Sequence, residues 1–92
     1  MNAGSIVLPV ALSDREREIL AFERAWWKES GSKERAVAER LQMSATRYYQ
    51  ILNELIDRPE ALAEDPMLVR RLRRQRAARQ KLRAARRLGQ SE

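Results

Sequence analysis

The chain contains neither cysteine nor histidine. These two absences remove disulfides, thiolate and imidazole metal sites, the nucleophilic triads that use His, and the commonest general base, so no enzymatic activity is expected. A long hydrophobic run is also missing. The apolar stretch Ile6 to Leu12 in the opening "MNAGSIVLPVALS" is broken by Pro9 and has no basic residue before it. It therefore predicts neither a signal peptide nor a membrane span, and the expected location is cytoplasmic. With 92 residues the chain is one small domain at most. A chain of this size buries only about 60 to 65% of the surface its unfolded form exposes, which makes its stability marginal.

Acidic residues are nearly absent from the C-terminal part. Residues 66–92 hold ten Lys/Arg and one acid, Glu92, whereas residues 1–65 hold nine Lys/Arg and twelve Asp/Glu. A mildly acidic body thus carries a strongly basic tail, the asymmetry expected of a protein that binds nucleic acid or another anionic surface.

The elements present are helical. "SDRE" at Ser13 to Glu16 is a capping box, and it predicts a helix from Asp14 to Glu29. Ile19, Phe22 and Trp26 lie on one side of that helix, with Leu20 and Trp27 at the edge. Glu23 falls within the apolar arc, where a carboxylate either reaches water at the rim or pairs with an Arg of another helix. "SGSK" then breaks the pattern, Ser32 is an N-cap, and a short helix from Lys33 to Leu41 buries Val37, Ala38 and Leu41. Ser44 caps a further helix in which Tyr48, Ile51, Leu52, Leu55 and Ile56 fall at helical spacing, so Tyr48 faces in and Tyr49 does not. Asp57 and Asp65, just ahead of Pro59 and Pro66, predict caps for a short turn of helix at Pro59 to Ala63 and a long helix from Pro66 to about Leu88.

The expected fold is all-α: a small helix-turn-helix bundle with a long basic C-terminal helix. Residues 1–12 form a flexible arm, 13–72 the core and 73–92 a basic helical arm. A short helix, a tight turn, an N-cap Ser and a second amphipathic helix are the parts of a helix-turn-helix, with Ala38 as the small residue where the helices cross. Gln42 stands at the turn position where Gly is usual. A left-handed backbone there costs a non-Gly residue about 1 kcal/mol, unless the turn is built differently.

"LSDREREIL", Leu12 to Leu20, resembles the start of the DNA-binding domains of sigma factor region four and of LuxR-type regulators. The run from "LSDREREILAFERAWW" through "SATRYYQILNELIDRPEAL" to "DPMLVRRLRR" is similar to an actinobacterial family of short proteins with a domain of unknown function, over about Leu12 to Gly89. The resemblance implies a helix-turn-helix DNA-binding protein, nucleoid-associated or regulatory, with no catalytic residues to carry over. Gln42 departs from the Gly usual in that family.

With Tyr48, Ile51, Leu52 and Leu55 turned inward, Thr46, Gln50 and Asn53 lie opposite, flanked by Arg47 and Tyr49. Gln or Asn can bond adenine bidentately, Arg guanine, and Thr can touch the thymine methyl, so these five are the base-contact candidates. Ser44 and Lys33, near helix N-termini, join the backbone candidates. So do Arg70, Arg71, Arg73, Arg74, Arg76, Arg79, Lys81, Arg83, Arg86 and Arg87, which spread around the whole circumference of the last helix. That helix has no seam for a coiled coil and no broad apolar face for a membrane surface. It reads as a polyelectrolyte arm that repels itself, is prone to fray beyond Leu72 and orders along phosphates. The acids Asp57, Glu60, Glu64 and Asp65 lack the spacing of a Ca²⁺ loop, and neither metal nor cofactor is expected. The expected partner is double-stranded DNA in the nucleoid. The alternatives are an adaptor that docks on RNA polymerase or another transcription factor, and an RNA binder; oligomeric state stays open.

Overall fold

A computed structural model describes residues 11–90. The expected mobility of residues 1–10 lies outside the described residues. The chain is all-α, with no strand among the described residues. Among the described residues five helices follow in order: α1 Asp14–Trp26, α2 Lys33–Leu41, α3 Ala45–Leu55, α4 Pro59–Glu64 and α5 Pro66–Gln90.

Most starts are set by local chemistry. The capping box at α1 forms in full: the Glu16 amide donates to Ser13 Oγ at 3.1 Å, and the Ser13 amide to Glu16 Oε1 at 2.8 Å. Ser32 and Ser44 accept from the amides of Arg35 and Arg47, each at 3.1 Å. Asp65 caps α5 by accepting from the Leu68 amide at 3.2 Å. Asp57 does not cap α4. The residue at that position is Arg58, whose side chain has no acceptor to offer the first amides, and the Asp57 carboxylate, one residue early, is held by Arg76. Helix α1 stops at Trp26, short of the expected Glu29, and Gly31 at φ 106° turns the chain back. A side chain there would sit in a backbone region that only glycine occupies freely.

The core gathers Ile19 and Leu20 of α1, Val37 of α2, Tyr48, Leu52 and Leu55 of α3, Ile56, Ala61 of α4, and Leu68, Val69 and Leu72 of α5. Leu12, expected to close the N-terminal arm, is buried in it too. Leu20, expected at the edge of its helix, is fully buried, while Trp27 turns outward. The alanine that α2 buries is Ala36; Ala38, expected at the helix crossing, is exposed. The reason is rotational: the inward stripe of α2 is Lys33, Ala36, Val37 and Leu41, and its first member is held by an ion pair with α1.

Glu23 sits inside this core at 5% exposure, and its partner is not an Arg. Lys33 Nζ lies 2.8 Å from its Oε2, and the Tyr48 hydroxyl donates to the same oxygen. Burial above all, then the charge of Glu23, pushes the Tyr48 hydroxyl well above the ordinary tyrosine range, so it remains a donor. One buried carboxylate thereby ties α1, α2 and α3 together.

The turn after α2 explains Gln42. Its backbone is left-handed, φ 53° and ψ 46°, as a helix C-cap often requires. Its own amide donates to the Glu39 carbonyl at 2.8 Å, and Arg15 donates to the carbonyl of Leu41, so two helix-end carbonyls are satisfied. Gln42→Val, which keeps neither the amide nor an easy left-handed backbone, should lower unfolding stability by about 1 to 2 kcal/mol in a urea melt. Gln42→Gly should leave it within about 0.5 kcal/mol, since relief of strain offsets the lost hydrogen bond.

Candidate nucleic-acid interface

Helix α3 has three distinct sides. Tyr48, Leu52 and Leu55 are buried. Thr46, Arg47 and Gln50 are exposed on the outer face, and no hydrogen bond from their side chains within the described residues occupies them. Asn53 is exposed as well and Tyr49 is half-buried, and these two lie toward α5. They line a groove between α3 and α5 whose apolar floor is Leu52, Ile56 and Leu72 and whose far wall includes Arg79 and Arg83. Tyr49 is half-buried there, edge-on to the Tyr48 ring at 5.1 Å and under Lys33 Nζ at 5.4 Å. Of the five base-contact candidates the structure thus leaves four exposed, Asn53 at the edge of the groove among them, and half-buries Tyr49. Sequence reasoning passed over Glu54, exposed and four residues beyond Gln50 on the outer face; a carboxylate at such a position can accept from cytosine N4.

The backbone candidates also divide. Lys33 is engaged with Glu23, and Ser44 with the Arg47 amide. Arg73 Nε donates to the Ile56 carbonyl at 2.5 Å. Arg76 donates to the Asn53 carbonyl at 3.1 Å and grips both oxygens of Asp57 at 3.2 and 2.6 Å. Backbone amides take the Leu52, Glu54 and Leu55 carbonyls at the end of α3, and these two arginines take those of Asn53 and Ile56. Arg70, Arg71, Arg74, Arg79, Lys81, Arg83, Arg86 and Arg87 make no ion pair among the described residues.

Helix α5 does not stop where its apolar anchors end. It continues beyond Leu72 to Gln90, in line with the helix expected to about Leu88; Arg73 and Arg76 bind it to α3 for one further turn and the alanines beyond favour helix. Its partners move backward along α3 as it advances: Arg73 meets Ile56, Arg76 meets Asn53, and Arg79 and Arg83 reach the groove lined by Tyr49. The unpaired cations therefore start beside the exposed face of α3 and extend away from the core.

Two aspartates hold this geometry. A hydrogen bond from Arg76 keeps Asp57 below the ordinary aspartate range, and one from Arg24, at 2.6 Å, does the same for Asp65. With native values depressed, the stability these pairs contribute is fully present above an ordinary value of about 3.8 and is lost as pH falls through the lower native values. Asp57→Asn should therefore flatten the acid limb of a stability-against-pH curve below about pH 4 and leave its slope at neutral pH unchanged.

No helix among the described residues is long and apolar enough to cross a membrane. No curated protein and no solved structure matches the chain. Residues 11–84, from the residue before buried Leu12 to the basic arm, match the family described as "Protein of unknown function (DUF3263)", and the chain belongs to that family.

Proposed function

We propose that this protein binds double-stranded DNA without catalysis, placing α3 in the major groove and laying the basic extension of α5 along the phosphate backbone. The observation that supports this most is the shared side of two features: Thr46, Arg47 and Gln50 exposed on a helix entered by a capped turn, and Arg79 and Arg83 flanking the same helix without an acidic partner. Helix-turn-helix proteins read base edges from such a second helix, and phosphate contacts fix its register. Arg47 and Gln50 carry the base reading, with Glu54 as a discriminator. Arg79, Lys81, Arg83, Arg86 and Arg87 carry the affinity. The same features support a chromosome-coating or regulatory role in the nucleoid as the cellular setting of this proposal.

Selection of bound sequences from a random duplex pool tests the reading. Arg47→Ala or Gln50→Ala should relax or shift the selected sequence, at about 1 to 3 kcal/mol of discrimination per lost bidentate contact, while non-specific affinity changes little. Unchanged selection in both variants would remove α3 from base reading. Competition by structured RNA as effective as duplex DNA, at equal phosphate concentration, would favour an RNA binder.

A further inference from the structure

Helix α5 has a second face. Leu72, Arg76, Arg79 and Arg83 turn toward α3, whereas Met67, Arg71 and Arg74 recur at i, i+4 and i+7 about 150° away around the helix. On that side Met67 is 80% exposed, and Trp27, just past the end of α1, is 67% exposed. A shallow hollow of about 250 Å³ lies between them, completed by Arg24, Asp65, Leu68, Arg71 and Arg74. Arg24 and Asp65 cancel each other across 2.6 Å. Arg71 and Arg74 make no ion pair among the described residues, and neither does Lys28, whose Nζ lies 5.5 Å from the centroid of the Trp27 ring. Two large apolar side chains, both left in water, are thus rimmed by cations in excess: one acid, Asp65, faces Arg24 and Arg71, and Arg74 and Lys28 stand beside them.

We propose that the Trp27–Met67 face docks an acidic segment of a partner protein, one that presents an apolar side chain flanked by Asp or Glu. An apolar anchor in the hollow with charged contacts at the rim is how protein interfaces divide affinity and steering, and exposed Trp is the residue type most often found at their centres. Duplex DNA fits less well: phosphates would satisfy the cations and leave Trp27 and Met67 wet. A second copy also fits less well, since a two-fold contact would set the same cations against each other. Because the face lies across α5 from α3, the partner and DNA can be held together. The docking itself does not depend on DNA being the other ligand.

The test uses the full chain and a short fluorescein-labelled peptide of Asp and Glu around a central Leu-Phe pair, with a matched peptide carrying Ser-Ser in its place. The first should bind in an anisotropy titration and the second much more weakly. Trp27→Ala should weaken binding about tenfold or more, as should the double variant Arg71→Glu/Arg74→Glu. Arg86→Gln/Arg87→Gln should change it by less than about twofold. Circular dichroism should show all three variants folded, as their side chains lie outside the core. Equal binding of the two peptides, binding of neither, or an equal loss in the Arg86/Arg87 variant would overturn the proposal in favour of non-specific charge attraction or no site. Displacement of the peptide by an equimolar duplex would assign the face to nucleic acid. A sedimenting dimer abolished by Trp27→Ala would assign it to a second copy.

Discussion

Lys33→Met is expected to lower the stability of the fold by about 2 to 4 kcal/mol in urea denaturation at neutral pH, much of what a domain this small possesses. The loss comes from Glu23, not from Lys33 itself. Glu23 is nearly solvent-free, and without the ammonium at 2.8 Å its charge would be left with only the Tyr48 hydroxyl. Removing one partner of a buried pair costs about 3 to 5 kcal/mol, and the lower figure applies because the Lys33 side chain remains 23% exposed. Glu23→Gln in the same chain should restore more than half of the loss, since the amide keeps an acceptor for Tyr48 and carries no charge to bury. Equal stability of Lys33→Met and the unaltered protein would show that the three-helix tie carries little energy.

Ending the chain after Arg76 should lower affinity for duplex DNA at least about a hundredfold at low salt, and should bring the slope of log K against log salt from about −5 toward about −1. Five unpaired cations, Arg79, Lys81, Arg83, Arg86 and Arg87, leave with that segment. The place of truncation matters. A chain ended after Leu72 would also lose Arg73 and Arg76, and with them the donors to the Ile56 and Asn53 carbonyls and the grip on Asp57. Its weaker binding would then mix a looser α3 with a lost arm. Only the shorter deletion should leave the urea midpoint unchanged, and a matching loss of stability there would mean that the extension is part of the fold.

The helices and most of their starts could be read from the chain because they depend on neighbours in sequence. Ser13 with Glu16, Ser32, Ser44 and the spacing from Tyr48 to Ile56 needed no knowledge of the tertiary fold. What could not be read depends on which helices meet. Choosing Ala36 over Ala38 is a rotation of α2 by a fraction of a turn, and Val37 and Leu41 alone do not fix it; the Lys33 pair with Glu23 does. Tyr49 and Asn53 border the outer face of α3 on spacing alone; the run of α5 alongside makes both groove walls, half-burying Tyr49 and leaving Asn53 exposed. Arg73 and Arg76 look like their eight basic neighbours in sequence. The carbonyl end of α3 distinguishes them, and that end comes close only after α4 reverses the chain.

The most direct measurement is the anisotropy of a labelled random-sequence duplex titrated with the full chain across a series of salt concentrations. The account predicts tight binding at low salt and a slope near −5, as about six phosphate contacts would give. Weak binding at every salt concentration, or tight binding insensitive to salt, would contradict it.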